Sequence, residues 1–319
     1  MSKMSLANYL RSQGLTDDEL MEIVKFRKQY ETPELNNHAR LPVPKTLYVG
    51  GETLKLCIRA ILAGYHLILE GEKGVGKNTL VETLAFIFKR PLYEFPFNGH
   101  TDVSQILGED TLSIDNGRTV VKFKEHSLLQ AMKNPVGAWF VGDEVNMARS
   151  EVLSVLHAVT DYRRKLDVPG YGVVHAHPAF RFIGTMNYGY MGTQELNEAF
   201  ADRFVIVHVP PSKDEDMINN LIVYEQYLNP TIARRLVKLY TDLSLKAKSG
   251  SITSRAVTIR GLYQTIDLVK QGCEPKTALR CCVVNKAFDE FERTQIEDTV
   301  NTLFSEEDVW LIKKEEKEE

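Results

Sequence analysis

Four stretches of this chain carry residue types whose spacing suits phosphate chemistry. The first is Gly71-Glu72-Lys73-Gly74-Val75-Gly76-Lys77-Asn78-Thr79. Its glycines let consecutive backbone N–H groups turn inward, and a helix opening near Lys77 adds its positive dipole end, so the loop is an anion cradle. Lys77 is placed to reach terminal phosphates as a point charge, and in loops of this kind the next residue gives an oxygen to magnesium. That next residue is Asn78, where a serine or threonine is the rule, with Thr79 one place later. An amide oxygen ligates a hard cation, but the longer side chain changes the coordination geometry.

The second stretch, Ala138-Trp139-Phe140-Val141-Gly142-Asp143-Glu144, is an apolar run ending in two carboxylates. At the C-terminal end of a strand beside a phosphate loop, Asp143 can hold magnesium through its water shell and Glu144 can polarise an attacking water. The third is Phe180 to Asn187, a buried strand whose closing Asn187 is either a turn residue or a hydrogen-bond partner of a γ-phosphate. The fourth is Ala199-Phe200-Ala201-Asp202-Arg203-Phe204. Arg203 reads either as a surface ion-pair residue or as a finger reaching a neighbouring subunit's phosphate, and spacing alone leaves both open.

The elements that must position these residues follow from periodicity. Leu67-Ile68-Leu69 before the glycines and Leu80, Leu84 and Ala85 after them predict strand, loop, helix. Residues 1–40 predict a helical extension, with Thr16 and Glu19 as a capping box, Leu15 and Leu20 as a staple, and a role in packing or subunit contact. Leu41-Pro42-Val43-Pro44 predicts an extended linker and Thr53 to Ala63 a helix, with Tyr48 and Val49 as a wall for a base. Tyr93 to Phe97 predicts a second strand, 111–123 a hairpin turning at Asp115-Asn116-Gly117, Ser150 to Tyr162 a helix, and Val205 to Val209 a last strand. A nucleotide-binding domain over 41–210 is followed by helices alone over 211–305, where Thr258 opens a helix running to Lys270 and closed by Gly272. Residues 306–319 predict a solvated charged tail.

At 319 residues and 43% hydrophobic, the chain can build one large domain and a smaller one. A net charge of −4 gives no global attraction to nucleic acid, so that partner is not expected. Neither a signal peptide nor a membrane span is predicted, and a soluble cytoplasmic protein is expected. Cys57, Cys273, Cys281 and Cys282 form no C-x-x-C pair and predict reduced, mostly packed thiols.

Together these residues resemble an AAA+ ATPase of the clade that includes the MoxR, CbbQ and NorQ proteins and the dynein-related modules. The resemblance spans roughly residues 41–300. It rests on Gly71–Lys77 as Walker A, Phe140–Asn146 as Walker B, Asn187 as sensor 1 and 192–204 as the stretch ending in the arginine finger. It implies an α/β fold: an αβα domain with a parallel sheet, then a small all-helical lid. The hairpin at 111–123 resembles the helix-2 insert of the clade, and 165–177 its second insert. Arg260 fits the CbbQ and NorQ sensor 2, and Arg255 the MoxR one.

The resemblance also implies ATP and Mg2+ as ligands, with Glu72, Lys73, Gly74, Val75, Gly76, Lys77, Asn78, Thr79 and Arg260 around the nucleotide and Asn78 and Asp143 toward the metal. Lys77, Glu144, Asn187 and Arg203 then carry hydrolysis in a homo-oligomeric, six-membered ring that remodels a protein client with a von Willebrand A domain partner. Tyr188 stands where a proline is common. Two other classes stay open: a nucleic-acid-associated NTPase resembling McrB, which lacks support from any basic aromatic stripe, and an ATP-binding ring scaffold with little turnover, which Asn78 makes conceivable.

Overall fold

The computed structural model describes residues 5–36, 38–115, 118–187 and 196–312. Residues 116–117 of the expected turn, Tyr188, the segment 189–195 and the charged residues 313–319 lie outside the described residues. The chain divides into two compact units at Pro211/Ser212.

The first unit is built on five parallel strands, β1 (His66–Glu70), β2 (Leu92–Pro96), β5 (Trp139–Asp143), β8 (Phe182–Met186) and β9 (Phe204–His208), in the spatial order β2-β5-β8-β1-β9. The three inner strands are continuous apolar runs because helices cover both of their faces. Side chains alternate between two cores: Leu67, Leu69, Val141 and Ile183 face one, and Ile68, Phe140 and Phe182 the other. Two antiparallel hairpins stand apart from this sheet, β3 (Gly108–Asp115) with β4 (Arg118–Glu125), and β6 (Lys165–Val168) with β7 (Gly172–His175). The first is longer at both ends than the hairpin expected at 111–123, and the second lies within 165–177.

The helical extension is part of the first unit rather than an appendage. Tyr9, Leu10, Ile23 and Phe26 share a core with Leu80, Leu84 and Phe88 of the helix Lys77–Phe88. The expected capping box is formed at Thr16, which accepts from the Glu19 N–H while Glu19 accepts from the Thr16 N–H at 2.8 Å. From the same helix Arg27 donates to the carbonyls of Ile87 (2.7 Å) and Phe86 (2.8 Å), closing the C-terminal end of Lys77–Phe88. The extension thus fixes the helix that opens at the phosphate loop. The helix expected at Thr53 to Ala63 spans Gly51–Leu62.

The second unit contains helices Asp214–Tyr224, Pro230–Lys248, Ile259–Lys270, Pro275–Cys282 and Glu290–Leu303 around an apolar core. Thr258 caps its helix by accepting from the Gly261 N–H, and Gly272, at φ 89°, lets the Cys273 N–H return to the Leu268 carbonyl. Residues 306–312, expected to be part of a solvated tail, pack in part against the second unit's core. Trp310 is buried beside Phe304, and Leu311 pairs with Leu228. The burial of Trp310 and the half-burial of Leu311 outweigh the flanking charges, while Val309 and Ile312 stay exposed. All four cysteines are free. Cys57 and Cys282 are buried, whereas Cys273 is half-buried and Cys281 exposed, so two of the four are packed where most were expected to be.

Candidate active site

Strand register brings the separated motifs to one edge. β1 lies between β8 and β9 although β8 enters the chain more than a hundred residues later, so the connections diverge on either side of β1, where α/β sheets form their ligand crevice. Leu69 pairs with Thr185 and Val141 with Ile183, which aligns the exits of β1, β5 and β8. The glycine loop, the Asp143-Glu144 pair and Asn187 leave from those three exits.

Gly74 and Gly76 are left-handed, at φ 84° and 93°, a conformation that costs a side-chain-bearing residue about 1 kcal/mol or more. A Cβ at Gly74 would meet nothing within 4 Å, so open space lies over the loop. Gly71 is needed for closeness: its Cβ would stand 2.6 Å from the Val209 carbonyl oxygen. Val75 is buried and anchors the loop, while Glu72 and Lys73 are exposed.

Lys77 is 7% exposed, and its ammonium is held by three oxygens: the carbonyls of Gly71 (3.0 Å) and Glu72 (2.9 Å) and the side-chain oxygen of Asn187 (2.7 Å). Burial pulls its pKa below the usual lysine value, and the nearby Asp143 and Glu144 carboxylates pull it partly back. Among the described residues it makes no ion pair, so a buried positive charge faces the open side of the loop. Asn187 then passes the contact on, its amide nitrogen donating to Glu144 at 3.0 Å. Lysine, asparagine and glutamate are thereby joined in one chain across the crevice.

Two further residues position the carboxylates, and the motif reading passed over the role of both. Thr185 donates its hydroxyl proton to Asp143 and accepts from the Glu144 N–H at 3.2 Å. Asn146 donates to the Asn187 carbonyl at 2.9 Å. A hydroxyl in an otherwise apolar strand was the available signal for Thr185. Glu144 itself is left-handed, at φ 55°, and the turn is held by fully buried Val145, which packs over Gly142 and Gly184.

Asn78 is exposed and Thr79 half-buried in the first turn of Lys77–Phe88. Tyr48, the expected base wall, is buried with its ring against Gly76. The donor set fits the expected ligands: a loop turned by left-handed Gly74 and Gly76 and a buried lysine with no ion pair among the described residues for the phosphates, and the exposed Asn78 side chain and Asp143 for a hard cation that keeps most of its waters. Among the described residues no group of three or more His, Cys, Asp or Glu is clustered for a metal, which such a water-rich site does not need.

Arg203 is not brought to this edge. It precedes Phe204, which pairs with His66 at the entry of β1, so about four residue steps, roughly 13 Å, separate it from the loop end of the sheet. Arg260 belongs to the second unit, exposed in the first turn of Ile259–Lys270, and Arg255 lies over the Phe288 ring at 5.0 Å. Among the described residues no helix is long and apolar enough to cross a membrane.

Residues 66–204 match the family model of the AAA domain, dynein-related subfamily. YojN of Bacillus subtilis is 30% identical over 305 residues, covering 94% of this chain and 98% of YojN. A Staphylococcus saprophyticus protein is 34% identical over 242 residues, 75% of this chain and 90% of its own. A Staphylococcus aureus protein is 33% identical over 242 residues, with the same coverage. A solved Cytophaga hutchinsonii chain overlays 88% of this one and 87% of its own length at 15% identity and a TM-score of 0.44, too loose to add to the argument.

Proposed function

The chain belongs to the dynein-related subfamily of AAA domains, within the AAA+ ATPases, and on that premise we propose that it hydrolyses ATP with magnesium as an oligomeric ring that remodels a protein client. The observation that carries the catalytic part is the Lys77–Asn187–Glu144 chain, which joins the phosphate-binding lysine to the water-orienting carboxylate through a single amide. Lys77 and the N–H groups of residues 74–77 hold the phosphates. Glu144 orients the water and takes its proton as the water oxygen bonds to the γ-phosphorus and the bond to the bridging oxygen breaks. Asn187 spans the two. Asn78 and Asp143 would hold magnesium, which when bound would supply positive charge to the phosphates.

The placement of Arg203 at the far end of the sheet favours a role toward a neighbouring copy and so an assembled state, and the resemblance to the MoxR, CbbQ and NorQ proteins implies a six-membered ring. The client, and a partner bearing a von Willebrand A domain, belong to the same reading, as does a cytoplasmic setting. Steady-state ATP turnover and particle mass with and without ATP test it. Turnover that is lost in Lys77→Ala, with ATP-dependent growth to a ring-sized species, is the expected result. A protein that binds ATP and assembles without turnover would instead be a scaffold.

A further inference from the structure

The short segment before the helix Gly51–Leu62 runs beside the phosphate loop and is held from three elements. Tyr48 lays its ring against Gly76, next to Lys77, and its N–H donates to the Thr83 hydroxyl of the helix Lys77–Phe88 at 2.9 Å. Its carbonyl accepts from the buried Tyr9 hydroxyl. Gly50 donates its N–H to the Gln13 side-chain oxygen at 3.1 Å, and its carbonyl accepts from the Leu54 N–H at 2.9 Å. Val49 lies between them, half-buried, and its own N–H and C=O meet no partner among the described residues. The backbone on both sides of Val49 is satisfied, and one donor and one acceptor are left beside the loop.

Two of those contacts come from the N-terminal extension. Tyr9 belongs to the helix Leu6–Ser12, and Gln13 to the turn that left-handed Gly14, at φ 81°, makes before Asp17–Gln29. The approach is close: a Cβ at Gly51 would stand 2.6 Å from the Gln13 carbonyl oxygen, and one at Gly50 2.6 Å from the Tyr48 ring. The extension does not depend on these contacts for its own attachment. Its second helix is tied by Glu19 to Arg59 at 2.7 Å and by Arg27 to the Phe86 and Ile87 carbonyls, and both helices share the core described above. Tyr9 and Gln13 therefore reach the loop from a body that is anchored elsewhere.

We propose that Tyr9 and Gln13 are positioning residues for the base of a nucleotide held in the loop: they fix the backbone on either side of Val49, so that its N–H and C=O stay in place to meet the edge of a purine. The inference rests on the ATPase reading above and extends the nucleotide site into the N-terminal extension, which lies outside the family-matched residues 66–204. A purine edge offers a donor beside an acceptor, as adenine does at its amino group and the adjacent ring nitrogen, and one residue's backbone complements both. Neither side chain touches the nucleotide. Each acts through the peptide groups it holds, so its removal loosens the grip on the base and leaves the grip on the phosphates, which Lys77 and the glycine turns supply, as it was.

The test compares two probes on the full-length chain, ATP and inorganic triphosphate, which carries the phosphates without a base. Tyr9→Phe keeps the buried ring and removes only the hydroxyl, and Gln13→Ala removes one acceptor at a half-buried turn. Combined, they are expected to weaken ATP binding about three- to tenfold, the range for a hydrogen bond or two, and to leave inorganic triphosphate within about twofold of wild type. Should the pair fail to fold, Gln13→Ala alone gives the same comparison with the smaller loss. A smaller change in ATP affinity than threefold for the pair, or equal weakening of both probes, would overturn the inference, since the second result is what general loosening of the loop produces. A wild type that binds both probes equally would overturn it as well, and one that binds neither would overturn the ATPase reading beneath it.

Discussion

Replacing Asn187 by alanine isolates the contact on which the catalytic reading turns. The side chain makes two charge-assisted hydrogen bonds, accepting from Lys77 at 2.7 Å and donating to Glu144 at 3.0 Å. Its backbone carbonyl, which holds Asn146, is untouched by the substitution, so the turn after β8 keeps its anchor. A hydrogen bond to a charged group is worth about 1.5–3 kcal/mol net. If one such contact is realised when water is oriented against the γ-phosphate, kcat falls by roughly 10- to 150-fold, at about 1.4 kcal/mol per tenfold. Nucleotide affinity should change by less than about tenfold, because the loop N–H groups and the Gly71 and Glu72 carbonyls that seat Lys77 remain. Asn187→Asp is the matched contrast: a carboxylate in the same place pairs with Lys77, repels Glu144 and the phosphates, and weakens binding and turnover together. Single-turnover kinetics with fluorescent-nucleotide titration separate the two. An alanine variant within about threefold of wild-type kcat, or one altered only in affinity, would refute the reasoning.

Other expectations follow from the same geometry. Asn78→Thr restores a short hydroxyl at the metal position, and the magnesium concentration giving half-maximal turnover should fall while ATP affinity stays put; an unchanged magnesium dependence would remove Asn78 from the metal site. His66 is neutral in the fold with a pKa near 3 against an ordinary value of 6.5, so the unfolded chain binds the extra proton and stability is lost as pH falls from about 6.5 toward 3. At pH 5 that loss is about 2 kcal/mol, and urea unfolding at pH 7.5 and 5 should show a correspondingly smaller difference in His66→Asn. Trp310→Ala should destabilise the second unit by about 3 kcal/mol, near the low end for a buried tryptophan because its unpartnered indole N–H is removed as well. A denaturation midpoint unmoved by that change would return residues 306–312 to the tail.

The chemistry-bearing stretches were legible because each is a local pattern. Glycines before Lys77 are needed for the left-handed turns at 74 and 76, and an apolar run that stops at Asp143-Glu144 is a strand end wherever it occurs. What joins them was not local. Lys77 meets Asn187 across 110 positions only because β8 lies beside β1, and strand order is invisible to periodicity. Thr185 reads in sequence as a β-branched filler of a strand, yet its hydroxyl joins the Asp143 carboxylate to the Glu144 backbone N–H. Arg164 donates to the carbonyls of His177 and Phe180, both reached only after the second hairpin, a contact that no local pattern shows. At the C-terminus the reading by charge overlooked an apolar run in which Trp310 is buried and Leu311 half-buried, and their burial outweighs the charged flanks.

The central claim is that Glu144 activates water against a phosphate held by Lys77. Its most direct test is the fate of bound ATP in Glu144→Gln, which keeps the shape and the contact with Asn187 but cannot take the proton. The account predicts that this variant binds ATP as tightly as wild type, retains it uncleaved when quenched and separated, and turns over at least about a hundredfold more slowly. ADP and phosphate formed by the variant at the wild-type rate would contradict it.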